Sequence, residues 1–390
     1  MSVVLHDEWI RRAELIGQRA ELEVASAEKS GCFSQQLRDF VHEMELHKLL
    51  RPLQYGGSGA GARTFSEVVR TIATYNASAA WLAYFVSLHE QWVAFLPEEG
   101  RQEIYKSDGF TGDIFFPMGK IEYVDGGVML SGEWSFGSGV LWDEWMGLGA
   151  FVKMPGEDEV QPCLVTVKTA DLEILHDWNP FGLRGSGSHS VKVNNVFVPW
   201  KLILPVLQVK KKGLPVGGHY SDEPIFRTPF MPFFCVGFPA ISVGIAQRVA
   251  RDLKQRIEMR QRVLYNAKDW ESPIAQRNLA EVLVKVANIE ALNERYVQQL
   301  EDWAEANTPF VSEEEGSKMN AWRSLISKDA SDLAFYSMNL LGASSTASGD
   351  PLEIAARDAF MIHIHLGQIY EDNMLAYGRT QFGLSGHPLL

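Results

Sequence analysis

Residues 132–139 read GEWSFGSG, with a tryptophan and a phenylalanine around one serine and glycines around a second. Such a set suits the holding of a flat ring. Trp134 and Phe136 supply apolar walls, Ser135 and Ser138 supply hydroxyls, and Gly137 and Gly139 let the main chain approach closely. Strand alternation puts Trp134, Phe136 and Ser138 on one face and Ser135 on the other. Histidines form a second group: His89 in SLHEQW, and His363 and His365 in MIHIH. Imidazole accepts or donates a proton near neutral pH, which suits acid–base work on a ring substituent. In a helix, positions i and i+2 do not share a face, so only one of His363 and His365 faces a given pocket. As metal ligands the pair lacks further ligands at usable spacing, and no metal is expected.

Three regimes position these residues. Residues 1–109 read as a helical domain: an amphipathic stretch ends at Gly31, a second opens on the cap residue Ser34, and the apolar run from Thr64 to Leu96 reads as two core helices. Residues 110–215 change to a two-residue period. Asp125-Gly126-Gly127 signals a hairpin, Asn194-Asn195 a further turn, and four to seven short strands predict a small barrel or sandwich. Residues 216–390 return to long amphipathic stretches that predict a four-helix bundle, the last running on from Asp350 through both histidines. The fold class is therefore multi-domain α+β. The 206–227 connection and the Phe-rich 226–238 stretch are both candidates for a pocket lid.

Charge and composition exclude several roles. A net charge of −13 without a long basic run argues against nucleic acid as a partner. Cys32, Cys163 and Cys235 are too far apart for metal spacing and read as reduced thiols. The acidic residues near the N-terminus do not read as a signal peptide, and no apolar run predicts a membrane span, so a cytoplasmic protein is expected.

Local motifs then resemble one superfamily. The all-α, β, all-α order is similar to the acyl-CoA dehydrogenase fold. So are LLRPLQYGGSGA (49–60), NPFGLRGSGSHSVKVNNVFVP (179–199), GIAQRVARDLKQRIEMR (244–260) and ARDAF (356–360). In many dehydrogenases of that fold a catalytic glutamate stands eight residues after the Asp of Arg-Asp-Ala. Counting from Asp358 gives Leu366, and Glu371 falls out of register. Trp-Ser-Phe-x-Ser-Gly at 134–139, a histidine (His365) seven residues after Asp358, and SLHEQW instead resemble the two-component, reduced-flavin-dependent monooxygenases, in particular oxygenase components like that of p-hydroxyphenylacetate 3-hydroxylase.

That resemblance implies reduced FMN or FAD and O₂, a flavin C4a-hydroperoxide, and hydroxylation or epoxidation of a phenol- or indole-type aromatic. It also implies a separate NAD(P)H–flavin reductase and a homotetramer. His365, Ser138 and His89 are implied as catalytic, His365 deprotonating or orienting the substrate ring. His365, His363 and Phe115 are implied to meet substrate. Trp134, Ser135, Phe136, Ser138, Gly139, Arg184, Ser186, Arg260, Gly342 and Ser344 are implied to hold the flavin. Glycines and serines 185–188 suggest a backbone nest for its phosphate. Val263 departs from the phenylalanine that dehydrogenases carry there. An FAD-dependent acyl-CoA dehydrogenase and an N-oxygenase of the same fold are the alternatives.

Overall fold

The computed structural model describes residues 3–213, 215–216, 222–262 and 266–386. Val263 and part of the 206–227 connection therefore lie outside the described residues. The chain opens with helices α1 (Val3–Glu21), α2 (Val24–Ser30), α3 (Gln35–Glu43), α4 (Ala62–Ala73), α5 (Ala77–Phe95) and α6 (Glu98–Tyr105). The first amphipathic stretch is thus two helices, closed by Gly31 at φ +77°. The Ser34 hydroxyl caps α3 by accepting from Leu37 N–H. Asn76 separates α4 from α5 by capping Ala79 N–H at 2.9 Å. Every residue of α5 is buried, as expected of a helix apolar on all sides.

Strands β1 (Phe110–Val124), β2 (Gly127–Gly137), β3 (Asp143–Lys153), β4 (Val160–Lys168), β5 (Glu173–Ile174), β6 (His189–Pro199) and β7 (Ile203–Pro205) form one sheet of order β5-β6-β2-β1-β3-β4-β7. The edge strands β5 and β7 do not pair with each other, so the sheet is not a closed barrel. Strand β1 serves two neighbours. Its first part runs parallel to β3, its last part antiparallel to β2, with a register shift between Ile114 and Gly119. Trp134 reaches over β1 to donate from Nε1 to Gly149 O at 2.9 Å, filling the inside of the bend. Asp125-Gly126 is the expected hairpin turn, with Gly126 at φ +79°. Asn194-Asn195 is not a turn. Asn195, at φ +55°, sits in a bulge within β6, where the register to β2 shifts.

Short helices α7 (Val206–Lys212), α8 (Pro224–Arg227) and α9 (Phe230–Phe234) lead into α10 (Gly237–Met259), α11 (Pro273–Glu305), α12 (Glu313–Leu341), α13 (Pro351–His363) and α14 (Tyr370–Thr380). Helix α10 packs on α4, α11, α12 and α13, which joins the bundle to the N-terminal helices. The helical run Phe230–Met259 is long and apolar enough to cross a membrane, contrary to the reading of the sequence. Its most apolar window is 89% buried inside the protein, which marks a core helix. The final bundle helix is also not continuous: the chain leaves helix after His363 and re-enters it at Tyr370.

Candidate active site

Trp81, Phe85 and His89 recur every fourth residue along α5 and so share one face. Trp81 donates from Nε1 to Ser138 Oγ at 2.9 Å. Ser188 Oγ donates to the same oxygen at 3.0 Å, and Ser186 Oγ lies 2.8 Å from Ser188 Oγ. The directions follow from chemistry. Indole is only a donor, and the Ser188 proton is spent on Ser138, so Ser186 donates to Ser188. Ser138 thus accepts twice, and its own proton meets no acceptor among the described residues. A chain of hydroxyls aligned in one direction strengthens that terminal donor.

His365 also packs against Trp81, with ring centroids 5.6 Å apart, and lies 4.9 Å from the Phe238 ring. It stands in the break between α13 and α14, so the helical-face argument about His363 and His365 does not apply. The two still diverge: the charged neighbours of His363 are Asp332, Lys328 and Glu371. His365 Nδ1 accepts from Gly367 N–H at 3.2 Å. That bond assigns the neutral tautomer with its proton on Nε2, which makes no protein hydrogen bond among the described residues. Burial and then the Arg323 guanidinium hold the imidazole down to about 4. At neutral pH His365 is therefore an N–H donor. Orienting a substrate fits this geometry; deprotonating one does not. Arg323 is buried at 4% exposure, bonds Asn320 Oδ1 and Gly367 O, and meets no carboxylate among the described residues.

His89 is buried as well. Its Nδ1 donates to Thr111 O, and its Nε2 faces Asp113 Oδ2 at 3.2 Å. Burial depresses the imidazole to about 3 and raises the Asp113 carboxyl well above its usual range. The pair is thus neutral imidazole beside neutral carboxylic acid, and His89 points at Asp113 rather than towards Ser138. Phe115 packs edge-on against Phe234 at 4.9 Å. Phe85 and Phe238 pack against Trp81 at 5.0 and 5.6 Å and bring aromatic surface to the site. Phe230, Phe233, Phe234 and Phe238 of the Phe-rich stretch are all buried.

The remaining candidates divide. Trp134 is not a wall for a ligand: it is 1% exposed and spent in the sheet core. Nor does alternation hold, because Phe136 adopts φ +68° and the register to β6 shifts between Trp134 and Gly137. Phe136 is consequently 66% exposed, edge-on to Trp178, and Phe181 nearby in sequence is 53% exposed. Ser135 is exposed and accepts from Ser190 Oγ at 3.3 Å. Gly139 turns the chain at φ +80° beside Ser138. In the 185–188 stretch two amides are spent within the protein: Ser186 N–H donates to Leu183 O and Gly187 N–H to Gly31 O. Arg184 lines a cavity of about 680 Å³ between α2, α10 and the start of α13, with Asn179 as its one weak partner, at 3.4 Å, among the described residues. Arg260 is exposed and 4.0 Å from Asp269, and Gly342 and Ser344 are exposed beyond α12. Asp358 of the Arg-Asp-Ala motif is an anchor: its Oδ1 accepts from Leu183 N–H at 2.6 Å and ties the Gly-Leu-Arg-Gly-Ser loop to α13. His42, His47 and Asp108 lie close together, but Lys48 and Arg51 already ion-pair with Asp108.

Trp81, Asp113, Asp143 and Arg323 were not singled out from the sequence, and Ser188 was read only as part of a backbone nest. The signal for Trp81 was present, since it stands eight residues before His89 on an apolar helix. Asp113 is an acid on the inward face of a strand, which is a readable anomaly. Arg323 gives no local signal, because its burial is decided by the turn after His363.

Comparison with known proteins agrees with this architecture. Residues 236–368 match the family described as acyl-CoA dehydrogenase, C-terminal domain. The p-hydroxyphenylacetate 3-hydroxylase oxygenase component of Acinetobacter baumannii is 26% identical over 357 residues, 90% of this chain and 83% of the relative. XiaF from Streptomyces sp., solved with FADH2 and glycerol, superposes with a TM-score of 0.89 at 22% identity over 98% of this chain and 96% of its own. TdsC from Paenibacillus sp. A11-2, solved with FMN and indole, gives 0.80 at 18% identity, covering 96% and 97%. The chain has the acyl-CoA dehydrogenase fold. Its curated relatives include oxygenase components and subunits of flavin-dependent monooxygenases. The residues present fit a flavin ring. Phe136 and Ser135 are exposed beside Ser138, whose hydroxyl proton is unspent.

Proposed function

We propose that this chain is the oxygenase component of a two-component monooxygenase. It takes reduced FMN or FAD from a separate NAD(P)H-dependent reductase and inserts one atom of O₂ into a phenol- or indole-type aromatic. The observation that carries this reading is the pair of donors with no acceptor among the described residues, Ser138 O–H and His365 Nε2–H, both next to Trp81 in an aromatic-lined site. Bound reduced flavin supplies the electrons and the atom at which O₂ is activated. The protein's part is to orient and to keep dry. Ser138 would donate to the edge of a bound flavin ring. His365 would donate from Nε2 to a substrate hydroxyl. Phe85, Phe115, Phe234 and Phe238 hold the substrate ring and exclude water. Phe136 and Ser135 border the flavin ring, and Arg184 and Arg260 are the cations for its phosphate.

The dehydrogenase reading lacks its base. Leu366, at the position counted from Asp358, is 67% exposed, and Glu371 stands in the first turn of α14. We place the enzyme in the cytoplasm as a homotetramer. Met259, Ile274 and Val284, each more than half exposed on the bundle, support an assembly through that face. The test is the coupling ratio, product formed per reduced flavin consumed, for Ser138→Ala and His365→Ala. Both variants should bind flavin and lose coupling. Unchanged coupling in both would refute the assigned roles.

A further inference from the structure

Strand β1 carries an acid into the aromatic site. Side chains alternate along it, so Thr111, Asp113 and Phe115 share one face. The other face, at Gly112, is closed: a Cβ there would sit 2.1 Å from Asp143 Oδ2 and 2.3 Å from Met146 Sδ. Asp113 points the opposite way, to α5, where its Oδ2 lies 3.2 Å from His89 Nε2. The Asp113 side chain is 7% exposed, and neither its Oδ2 nor His89 Nε2 makes a hydrogen bond among the described residues. Burial alone lifts the carboxyl, with no Arg or Lys among the described residues close enough to lower it. Acids are almost never buried without a partner, and this one meets no cation among the described residues.

We infer that Asp113 is the counter-ion for a substrate that bears a protonated amine: an aromatic ring with a short aminoalkyl arm. An ammonium has three donors and no acceptor. His89 gives its Nδ1 proton to Thr111 O, so Nε2 is an acceptor, and one ammonium satisfies both it and the Asp113 carboxylate. The spacing agrees. Trp81 and His89 are eight residues apart on α5, about 12 Å along its axis. Ser138 stands at the Trp81 end and Asp113 at the His89 end. The Phe85 ring lies between, 5.0 Å from Trp81 and 5.1 Å from His89. A substrate ring beside Phe85 turns its reacting edge towards Ser138 and its arm towards Asp113. Arg323 stands beside His365 instead, with its guanidinium bonded to Asn320 and Gly367. The net charge of −13 attracts a cation from solution. The proton balance closes: the amine enters as ammonium, the Asp113 carboxylic acid releases its proton to solvent, and the carboxylate–ammonium pair remains. The other titratable groups within electrostatic reach of Asp113 are His89 and Tyr84 on α5 and Asp143 on β3, and burial favours the neutral form of each. That the amine is a substrate rests on the monooxygenase reading; its binding is measured apart from turnover.

Anaerobic titration calorimetry of the full chain, with and without reduced FMN, compares probes that share a phenol ring: tyramine, 4-ethylphenol and 4-hydroxyphenylacetate. Tyramine should bind about tenfold more tightly than 4-ethylphenol, the lower end of what a hydrogen bond to a charged group is worth. The carboxylate probe should bind most weakly. Repeating the tyramine titration in buffers that differ in ionisation enthalpy should show release of the Asp113 proton, which a merely structural acid does not give. Asp113→Asn should lose both the preference and the release while 4-ethylphenol affinity stays close to wild type. The comparison of probes on the wild-type chain decides the matter even where the variant fails to fold. Equal binding of tyramine and 4-ethylphenol, or a preference kept in Asp113→Asn, would overturn the inference and leave the monooxygenase reading intact. Tightest binding of 4-hydroxyphenylacetate would overturn it and give the counter-ion role to Arg323. Binding of no ring compound, with flavin or without, would overturn both.

Discussion

Arg323→Met should raise the pKa of His365 and leave its tautomer changed only by what the lost turn contact allows. The magnitude follows from geometry. His365 Nδ1 and Arg323 Nη1 lie 3.6 and 3.8 Å from one point above Gly367. The two nitrogens are therefore within roughly 7 Å, where a unit charge at an effective dielectric near 20 is worth about 2 kcal/mol, or between one and two pKa units. His365 should move from about 4 towards about 5 to 6. Arg323→Lys keeps the charge and should keep the low value. Nitrogen-15 NMR of labelled histidines reads both midpoint and tautomer, with His365→Asn identifying the resonance. The sign for stability follows. A histidine depressed in the folded state contributes stability that is fully present above its unfolded value and is lost as pH falls from about 6.5 towards 4. The Met variant should accordingly gain on wild type across that window. A midpoint still near 4 in Arg323→Met would refute the electrostatic argument. A wild-type His365 protonated on Nδ1 would refute the donor assignment.

Other consequences are smaller and independent. Ser188→Ala breaks the hydroxyl chain behind Ser138 without touching the ligand, and should lower coupling several-fold while flavin affinity, read by fluorescence titration, stays within about twofold. Trp134→Phe removes the bond to Gly149 O from the sheet core and should cost about 1–3 kcal/mol in denaturant unfolding. It should do so with no change in flavin affinity; a large affinity loss would restore Trp134 to the flavin site. Asp358 is held up to about 7 by burial, with Glu28 adding to it. Its folded value lies above its unfolded one, so the native state holds a proton that the unfolded chain releases, and stability falls as pH rises from about 4 to about 7. Asp358→Asn removes this dependence and should gain on wild type over that range by thermal unfolding.

Much of this arrangement was legible in the residues. The hairpin at Asp125-Gly126, the cap at Ser34 and the split before α5 follow from turn and cap chemistry that acts locally. Ser138 and His365 were expected from the resemblance of their motifs, and both lie next to Trp81 in the structure. What sequence periodicity could not give was backbone geometry set by tertiary contacts. Phe136 leaves the alternation because its φ is positive. The final helix breaks at Ile364 because Arg323, buried 41 residues earlier in the chain, takes the Gly367 carbonyl. Trp134 reads as a ligand wall only until the bend of β1 encloses it. The parallel pairing of β1 with β3 sets Asp143 opposite Phe110 and Asp113 opposite Gly147, a non-local register invisible to local pattern.

The most direct measurement of the central claim is isotopic. The protein is supplied with chemically reduced FMN or FAD, ¹⁸O₂ and a panel of phenols and indoles, and the products are read by mass spectrometry. The account predicts one ¹⁸O atom in a ring product, formed without nicotinamide and lost in His365→Ala. Rings returned without label, together with oxidation of an acyl thioester by bound oxidised flavin, would contradict it.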